Sequence, residues 1–225
     1  MAFDGFPTDA LHFLRDLREN NNRDWFQAHR DEYETLLLEP ARDFVVAMGE
    51  ELRAVGADVH ADPRVTGSIF RINRDTRFSK DKRPYKDHLD LWFWEGDGRS
   101  RDSPGYWFRL TAEQLILGAG KHHFGDQLGA YRDAVADPKR GKALRRAVDE
   151  VTSAGGEVGG RHYKRVPAGY DVPSEREDLL LHDGLYAYSE LAVPAQAHTG
   201  EFPRFCAERW RPLKPVQDWL VEHLA

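Results

Sequence analysis

Residues 68–94 read SIFRINRDTRFSKDKRPYKDHLDLWFW, and their side-chain pattern decides the fold class. Lys86 to Glu95 is predicted to be a strand, because Leu89, Leu91 and Phe93 share one face while the other face carries His88, Asp90, Trp92 and Trp94. Ser68 to Asn73 is predicted to be a second strand, so the charged residues between the two strands form a loop.

Further elements follow on both sides of this stretch. Additional strands are predicted over Tyr106 to Thr111, Gln114 to Gly118 and Leu185 to Leu191. Helical spacing predicts helices within residues 9–56, within residues 126–151 and from Thr199 onward, and loops are predicted over Gly96 to Gly105 and Ser153 to Gly160. Short links between strands favour antiparallel pairing. The sequence predicts a single α+β domain over residues 1–225, with a mostly antiparallel central sheet flanked by N-terminal and C-terminal helices.

Composition excludes several classes of protein. The 225 residues include 32 Lys and Arg against 38 Asp and Glu, so the formal charge is −6, which argues against an even positive coat. A single cysteine, Cys206, excludes an intramolecular disulfide and a cysteine-clustered metal site. No apolar run approaches the length of a membrane span, and no secretory signal is present. We expect a cytoplasmic protein with no membrane contact, no cofactor and no bound metal.

Positive charge is concentrated in the loop between the first two predicted strands. Residues 71–90 contain seven cations, namely Arg71, Arg74, Arg77, Lys80, Lys82, Arg83 and Lys86. They contain four carboxylates, namely Asp75, Asp81, Asp87 and Asp90. The segment therefore carries +3 and the remainder of the chain −9. A basic loop on an acidic body produces a local positive field, so we expect an anionic small molecule as its partner.

The residue types in this loop suit recognition of a phosphorylated or nucleotide-like molecule. Guanidinium groups bind phosphate or carboxylate through paired hydrogen bonds, and lysines add point charges. Aromatic side chains on the neighbouring strand face could stack a base or another planar group. The predicted ligand-binding residues are Arg71, Arg74, Arg77, Lys82, Trp92 and Arg109.

Three residues of the segment have the chemistry of catalysis. Asp75 or Asp81 would orient the cations or act as a general base, and Tyr85 would donate a hydrogen bond or act as an acid. Surrounding arginines lower the pKa of a carboxylate, which favours orientation over proton abstraction. Whether the chain is an enzyme stays open at this stage.

Two alternatives use the same residues differently. Mutual ion pairs, such as Arg74 with Asp75 and Asp81 with Lys82, would make the motif purely structural. A non-catalytic module for an acidic partner or nucleic acid needs the cations but no acid or base, although the acidic remainder disfavours a long nucleic-acid footprint. Oligomeric state does not follow from these patterns.

The sequence resembles a known bacterial family, domain of unknown function 2461. The resemblance rests on Arg71, Arg74-Asp75, Arg77-Phe78, Asp81-Lys82 and Tyr85, and it extends from the Gly5-Phe6-Pro7 opening to Pro212–Trp219. The resemblance selects the same residues as the charge pattern. It implies no activity, substrate or cofactor.

Overall fold

The structure is a computed structural model that describes residues 2–96 and 102–224. The chain divides into two compact units. The first unit comprises Met1–Phe93, Trp107–Ile116 and Glu190–Ala207. The second unit comprises Trp94–Tyr106, Leu117–Ser189 and Glu208–Ala225. A single domain over residues 1–225 remains a prediction.

Helices occupy the N-terminal quarter and much of the C-terminal half. They are α1 (Thr8–Glu19), α2 (Arg23–Ala28), α3 (Arg30–Glu32), α4 (Glu39–Ala54), α5 (Leu128–Ala136), α6 (Pro138–Ser153), α7 (Ser174–Glu177), α8 (Phe202–Trp210) and α9 (Lys214–Leu224). A π-helical segment, Tyr33–Leu38, joins α3 to α4. No helix within residues 2–96 and 102–224 combines the length and apolar character needed to cross a bilayer.

One six-stranded antiparallel sheet contains all the strands of the described residues. Its strands are β1 (Val59–His60), β2 (Leu89–Glu95), β3 (Gly105–Leu110), β4 (Gln114–Lys121), β5 (Glu157–Arg161) and β6 (His182–Ala192), in the spatial order β1-β2-β3-β4-β6-β5. The predicted α+β class is therefore confirmed, with helices flanking the sheet.

Aromatic packing forms the core of the first unit. The ring of Phe44 on α4 lies 5.0 Å from that of Phe108 on β3 and 5.4 Å from that of Phe202 on α8. All three side chains are fully buried. Burying each of them contributes roughly 1.5–3 kcal/mol, so these contacts hold the N-terminal helices against the sheet. Cys206 is buried as well, and burial raises the pKa of its thiol well above the usual value.

The second unit combines aromatic packing with buried hydrogen bonds. The Phe124 and Tyr131 rings stack with centroids 4.1 Å apart, and the Tyr131 hydroxyl donates to the Leu179 carbonyl at 2.8 Å. The Trp210 indole donates to the Gly118 carbonyl on β4 at 3.0 Å. These bonds satisfy the polar atoms that aromatic burial would otherwise leave unpaired.

The prediction of a regular strand over Ser68 to Asn73 is wrong. The structure has isolated antiparallel bridges there, Ile69 to Leu91 and Asn73 to Tyr85. Between the two bridges, residues 70–72 on one side face residues 86–90 on the other, which is two residues more. The longer side bends at residues 87–88, so no continuous ladder of hydrogen bonds forms. The same bend makes β2 begin at Leu89 rather than at Lys86.

The predicted loop Ser153 to Gly160 is wrong in its second half, because β5 pairs with β6 there. Gly160 has a φ of +99°, and the register shifts between Gly159 and Arg161, so glycine permits a bulge in an edge strand. Of the predicted loop Gly96 to Gly105, residues 97–101 lie outside the described residues and Gly105 already belongs to β3.

Candidate functional site

Residues 71–86 of the basic segment, which spans residues 71–90, form a loop that is closed at its base by main-chain hydrogen bonds. The Arg74 amide donates to the Pro84 carbonyl at 2.9 Å, and the Lys86 amide donates to the Ile72 carbonyl at 2.8 Å. These bonds flank the bridge between Asn73 and Tyr85. The two ends of the loop therefore lie side by side, and its charged side chains project from the short segment between them.

The link between α1 and α2, together with α2 itself, fixes one end of this loop. The Asn21 side chain accepts from the Tyr85 amide and donates to the Tyr85 carbonyl, both at 3.0 Å. The Tyr85 ring is buried and stacks on Phe26 of α2 with centroids 4.1 Å apart. The neighbouring Asn22 caps α2, and the clamp formed by Asn21 was not foreseen from the sequence. Tyr85 as an acid or hydrogen-bond donor remains a prediction.

Two local ion pairs shape the exposed part of the loop. The Arg77 guanidinium binds the Asp75 carboxylate through Nε at 3.0 Å and Nη2 at 2.7 Å. Arg83 binds Asp81 in the same way, at 2.9 Å and 2.8 Å, and Arg74 Nη1 donates to Asp81 Oδ2 at 2.7 Å. Each aspartate also accepts the main-chain amide two residues later.

These partners differ from the pairs that the structural alternative assumed. Arg74 pairs with Asp81 rather than with Asp75, and Lys82 donates to the Thr76 carbonyl at 2.9 Å rather than to Asp81. Adjacent residues in extended chain point in opposite directions, so the pairs form between residues two or more positions apart.

The arginines also lower the pKa of both loop aspartates. The hydrogen bond from the Arg77 side chain lowers the pKa of Asp75 to about 2. Hydrogen bonds from Arg83 and Arg74 hold the pKa of Asp81 well below its usual range. Both carboxylates are therefore ionised at neutral pH and serve as acceptors for the guanidinium groups.

A second, more buried ion cluster lies at the start of β2. Asp90 is only 6% exposed and accepts from Arg109 Nε at 2.7 Å and Nη2 at 3.1 Å. Lys86 Nζ lies 3.3 Å and His88 Nε2 lies 3.2 Å from Asp90 Oδ2. Burial raises the pKa of Asp90, but the hydrogen bonds and positive charges of His88 and Arg109 together outweigh it and lower the pKa well below its usual value.

The two clusters are joined through Asp87. His88 Nδ1 lies 3.1 Å from Asp87 Oδ1, and Arg83 Nη1 lies 3.6 Å from Asp87 Oδ2. A continuous series of ion pairs thus runs from Arg74 at the loop base to Arg109 on β3. Such a series restricts the loop to one conformation.

Three cations of the basic segment contact no carboxylate in the described part of the chain: Arg71, Lys80 and Lys82. All three are exposed. The positive charge of Arg71 helps to lower the pKa of Asp75. The Lys82 ammonium donates to the main-chain carbonyl of Thr76, the residue after Asp75. Lys82 thus lies at the turn at residues 75–77, and Arg71 lies within electrostatic range of Asp75.

The remaining predicted ligand-binding residues lie on the sheet. Arg109 is held by Asp90, and its guanidinium carbon lies 4.8 Å from the centre of the Trp107 ring. Trp92 is partly exposed and, two residues after Asp90 on β2, lies on the same strand face. Arg109 and Trp92 therefore belong to the Asp90 cluster rather than to the loop tip.

Sequence reasoning did not single out Phe78, although the structure gives it an unusual environment. Its side chain is 94% exposed, and the Arg77 guanidinium carbon lies 5.7 Å from the ring centre. The available signal was an aromatic residue inside a polar run, between Arg77 and Ser79, with no apolar neighbour to cover it.

No other arrangement in the described ranges competes clearly with this loop. Among residues 2–96 and 102–224, no group of three or more His, Cys, Asp or Glu side chains is placed to hold a metal ion. An open cleft of about 770 Å³ in the second unit is lined by α6 and the start of α7, and its basic and acidic side chains include Arg145 and Asp149, which pair at 2.9 Å.

Comparison with known proteins agrees with the resemblance that the motif suggested. A family model described as "Conserved hypothetical protein (DUF2461)" matches residues 9–219, which include the whole basic segment, both ion clusters and every strand. A search of curated proteins finds no match.

Proposed function

The chain belongs to the DUF2461 family of conserved hypothetical proteins, and we propose from its own residues that the basic segment binds the phosphate groups of a small anionic molecule. The observation that carries the proposal is the set of three cations without a carboxylate partner, Arg71, Lys80 and Lys82. Four carboxylates pair with the other cations, so the surplus charge of the segment resides on these three side chains.

The paired residues have a supporting role in this proposal. Asp75 and Asp81 hold Arg77, Arg83 and Arg74 in fixed positions, which reduces the conformational entropy that a ligand would have to remove on binding. A carboxylate whose pKa is about 2, as for Asp75, is a weak base at neutral pH. We therefore assign these aspartates to positioning, and catalysis is not required for the proposed binding.

Charge outside the segment favours a small ligand over a long polyanion. The remainder of the chain carries −9, which would repel a nucleic acid that extended beyond the loop. A compact phosphorylated molecule contacts only the +3 region and avoids this repulsion. Salt dependence distinguishes the two, because binding of a long polyanion weakens steeply with salt.

Calorimetric titration with tripolyphosphate tests the proposal. We expect the wild-type protein to bind, and Lys82→Gln and Arg71→Gln to weaken binding by roughly tenfold each, since a hydrogen bond to a charged group contributes about 1.5–3 kcal/mol. Lys164→Gln is the matched control, because Lys164 is exposed, lies outside the basic segment and loses the same charge.

Two results would reject the proposal. One is an equal loss of affinity in Lys164→Gln, which would show a response to net charge alone. The other is no binding by the wild type; a clearly lower melting temperature for Lys82→Gln and Arg71→Gln would then assign the cations to structure.

A further inference from the structure

The tip of the basic segment exposes an aromatic ring that the fold does not use. Phe78 is 94% exposed, whereas the other large hydrophobic side chain exposed in the described residues, Val46, is 48% exposed. A phenylalanine contributes to stability by leaving water, and Phe78 does so hardly at all. Single exposed apolar residues are common, so exposure becomes informative here only through the surroundings of the ring.

Those surroundings form a fixed and positively charged turn. The paired hydrogen bonds between Arg77 and Asp75 hold the residue before Phe78, and the Ser79 amide donates to the Thr76 carbonyl at 3.4 Å after it. The Lys82 ammonium binds the same carbonyl at 2.9 Å. The ring is therefore attached to a turn held by hydrogen bonds, next to the Lys82 ammonium, which contacts no carboxylate in the described residues.

We propose that Phe78 stacks on the nucleobase of a phosphorylated ligand while the neighbouring cations, Arg71 and Lys82, bind its phosphates. The inference rests on the proposed function and names its ligand class. Aromatic rings bind bases through their flat faces, and every base has such a face, so recognition tolerates different bases. The Arg77 guanidinium lies over one face of the ring, 5.7 Å from its centre, which leaves the opposite face for a base.

The same chemistry could come from a free nucleotide or from a short single strand of nucleic acid. Either presents one base beside phosphate groups within the size of the turn. An anionic membrane is a less favourable partner for two reasons. One phenylalanine provides little apolar area for insertion, and the −9 charge of the rest of the chain would be repelled by anionic lipids.

The experiment compares tripolyphosphate, ATP and an oligothymidylate of eight nucleotides by calorimetric titration at one salt concentration. Wild type, Phe78→Ala and Phe78→Trp are titrated with each, and Val46→Ala is the control for loss of an exposed apolar side chain. Because Phe78 is almost fully exposed, we expect Phe78→Ala to melt at the wild-type temperature.

The expected result is a selective loss. Phe78→Ala weakens binding of ATP or the oligonucleotide by about fivefold or more, leaves tripolyphosphate binding unchanged, and is rescued by Phe78→Trp. Whichever base-bearing probe shows this loss identifies the source of the base. Val46→Ala changes none of the affinities.

The stacking inference and the proposed function fail in different ways. If tripolyphosphate binds and Phe78→Ala affects neither ATP nor the oligonucleotide, stacking is wrong and phosphate binding stands. If none of the three probes binds, both are wrong. Binding to phosphatidylserine vesicles that is lost in Phe78→Ala, without any effect on the base-bearing probes, would overturn stacking in favour of membrane contact.

Discussion

Asp90→Asn is the substitution that most directly tests the ion cluster beneath the basic segment. The carboxylate accepts from Arg109 at 2.7 Å and 3.1 Å and lies within 3.3 Å of Lys86. Asparagine keeps the size of the side chain and one acceptor oxygen but removes the negative charge. Any loss of stability then reports the ionic contacts rather than a cavity.

The expected cost follows from burial. Removing one partner of a fully buried ion pair costs about 3–5 kcal/mol. Asp90 is buried, but the side chains of Arg109 and Lys86 are 31% and 18% exposed, so water recovers part of their solvation. We therefore expect the free energy of unfolding to fall by about 2–4 kcal/mol.

Urea denaturation at pH 7 measures this change through the transition midpoint, with the slope of the transition unchanged. Asp75→Asn is the control, because the Asp75–Arg77 pair is exposed and its loss should leave the midpoint almost unaltered. A decrease below about 1 kcal/mol for Asp90→Asn would refute the reasoning, since it would place the cluster among ordinary surface pairs.

The pH dependence gives an independent check with a defined sign. The pKa of Asp90 is lower in the folded state than its unfolded value of about 3.9. The contribution of this carboxylate to the free energy of unfolding is therefore fully present above that pH. The contribution is lost as the pH falls further, toward the lowered pKa. The stability difference between wild type and Asp90→Asn should thus be present at neutral pH and shrink below about pH 4. A difference that persists unchanged at low pH would contradict this assignment.

Three further predictions concern two glycines of the second unit, the Asn21 clamp and the buried Lys121. Gly160→Ala should lower the free energy of unfolding by about 2 kcal/mol or more in urea denaturation, because φ is +99° and the new Cβ would lie 2.0 Å from a carbonyl oxygen of β6. Gly129→Ala is the control: Gly129 lies in open space on α5, so alanine there should raise the free energy of unfolding by about 0.5–1 kcal/mol. Asn21→Ala should cost about 1–3 kcal/mol, since it removes both hydrogen bonds to the Tyr85 main chain, and an unchanged midpoint would exclude the clamp. Burial lowers the pKa of Lys121, so wild-type stability should rise as the pH increases toward about 10, and Lys121→Met should flatten that rise in thermal melts.

The strands that could be predicted from sequence are those whose burial follows the alternation of side chains. In β2, Leu89, Leu91 and Phe93 are buried while Trp92 and Trp94 are partly exposed, as the period of two requires. Ser68 to Asn73 has a similar composition but is not a continuous strand, because regularity depends on the register of its partner. In β5 the glycines suggested a loop, yet pairing with β6 determines the conformation.

The residues of the site were predictable from sequence only in part. Residue types and spacing identified the basic segment, since charge and composition are local properties. The partners of each charge were not predictable: Asp90 finds Arg109 nineteen positions later because β2 and β3 bring them together. The 94% exposure of Phe78 likewise depends on where the loop points and not on its own sequence.

The structural and the anion-binding interpretations of the motif are compatible once each charge has been assigned a partner. Exposed cations close to one another repel, and a loop that carries only cations would spread apart. Asp75 and Asp81 counter this by holding the arginines, which leaves Lys82 and Arg71 beside the turn without a carboxylate partner in the described ranges. A variant of Arg74 cannot separate the two roles, because its loss would release Asp81 and alter the loop as well as any ligand contact. Variants of Arg71 separate them more directly, since its side chain makes no ion pair or hydrogen bond in the described ranges, whereas a Lys82 variant also loses the hydrogen bond to the Thr76 carbonyl.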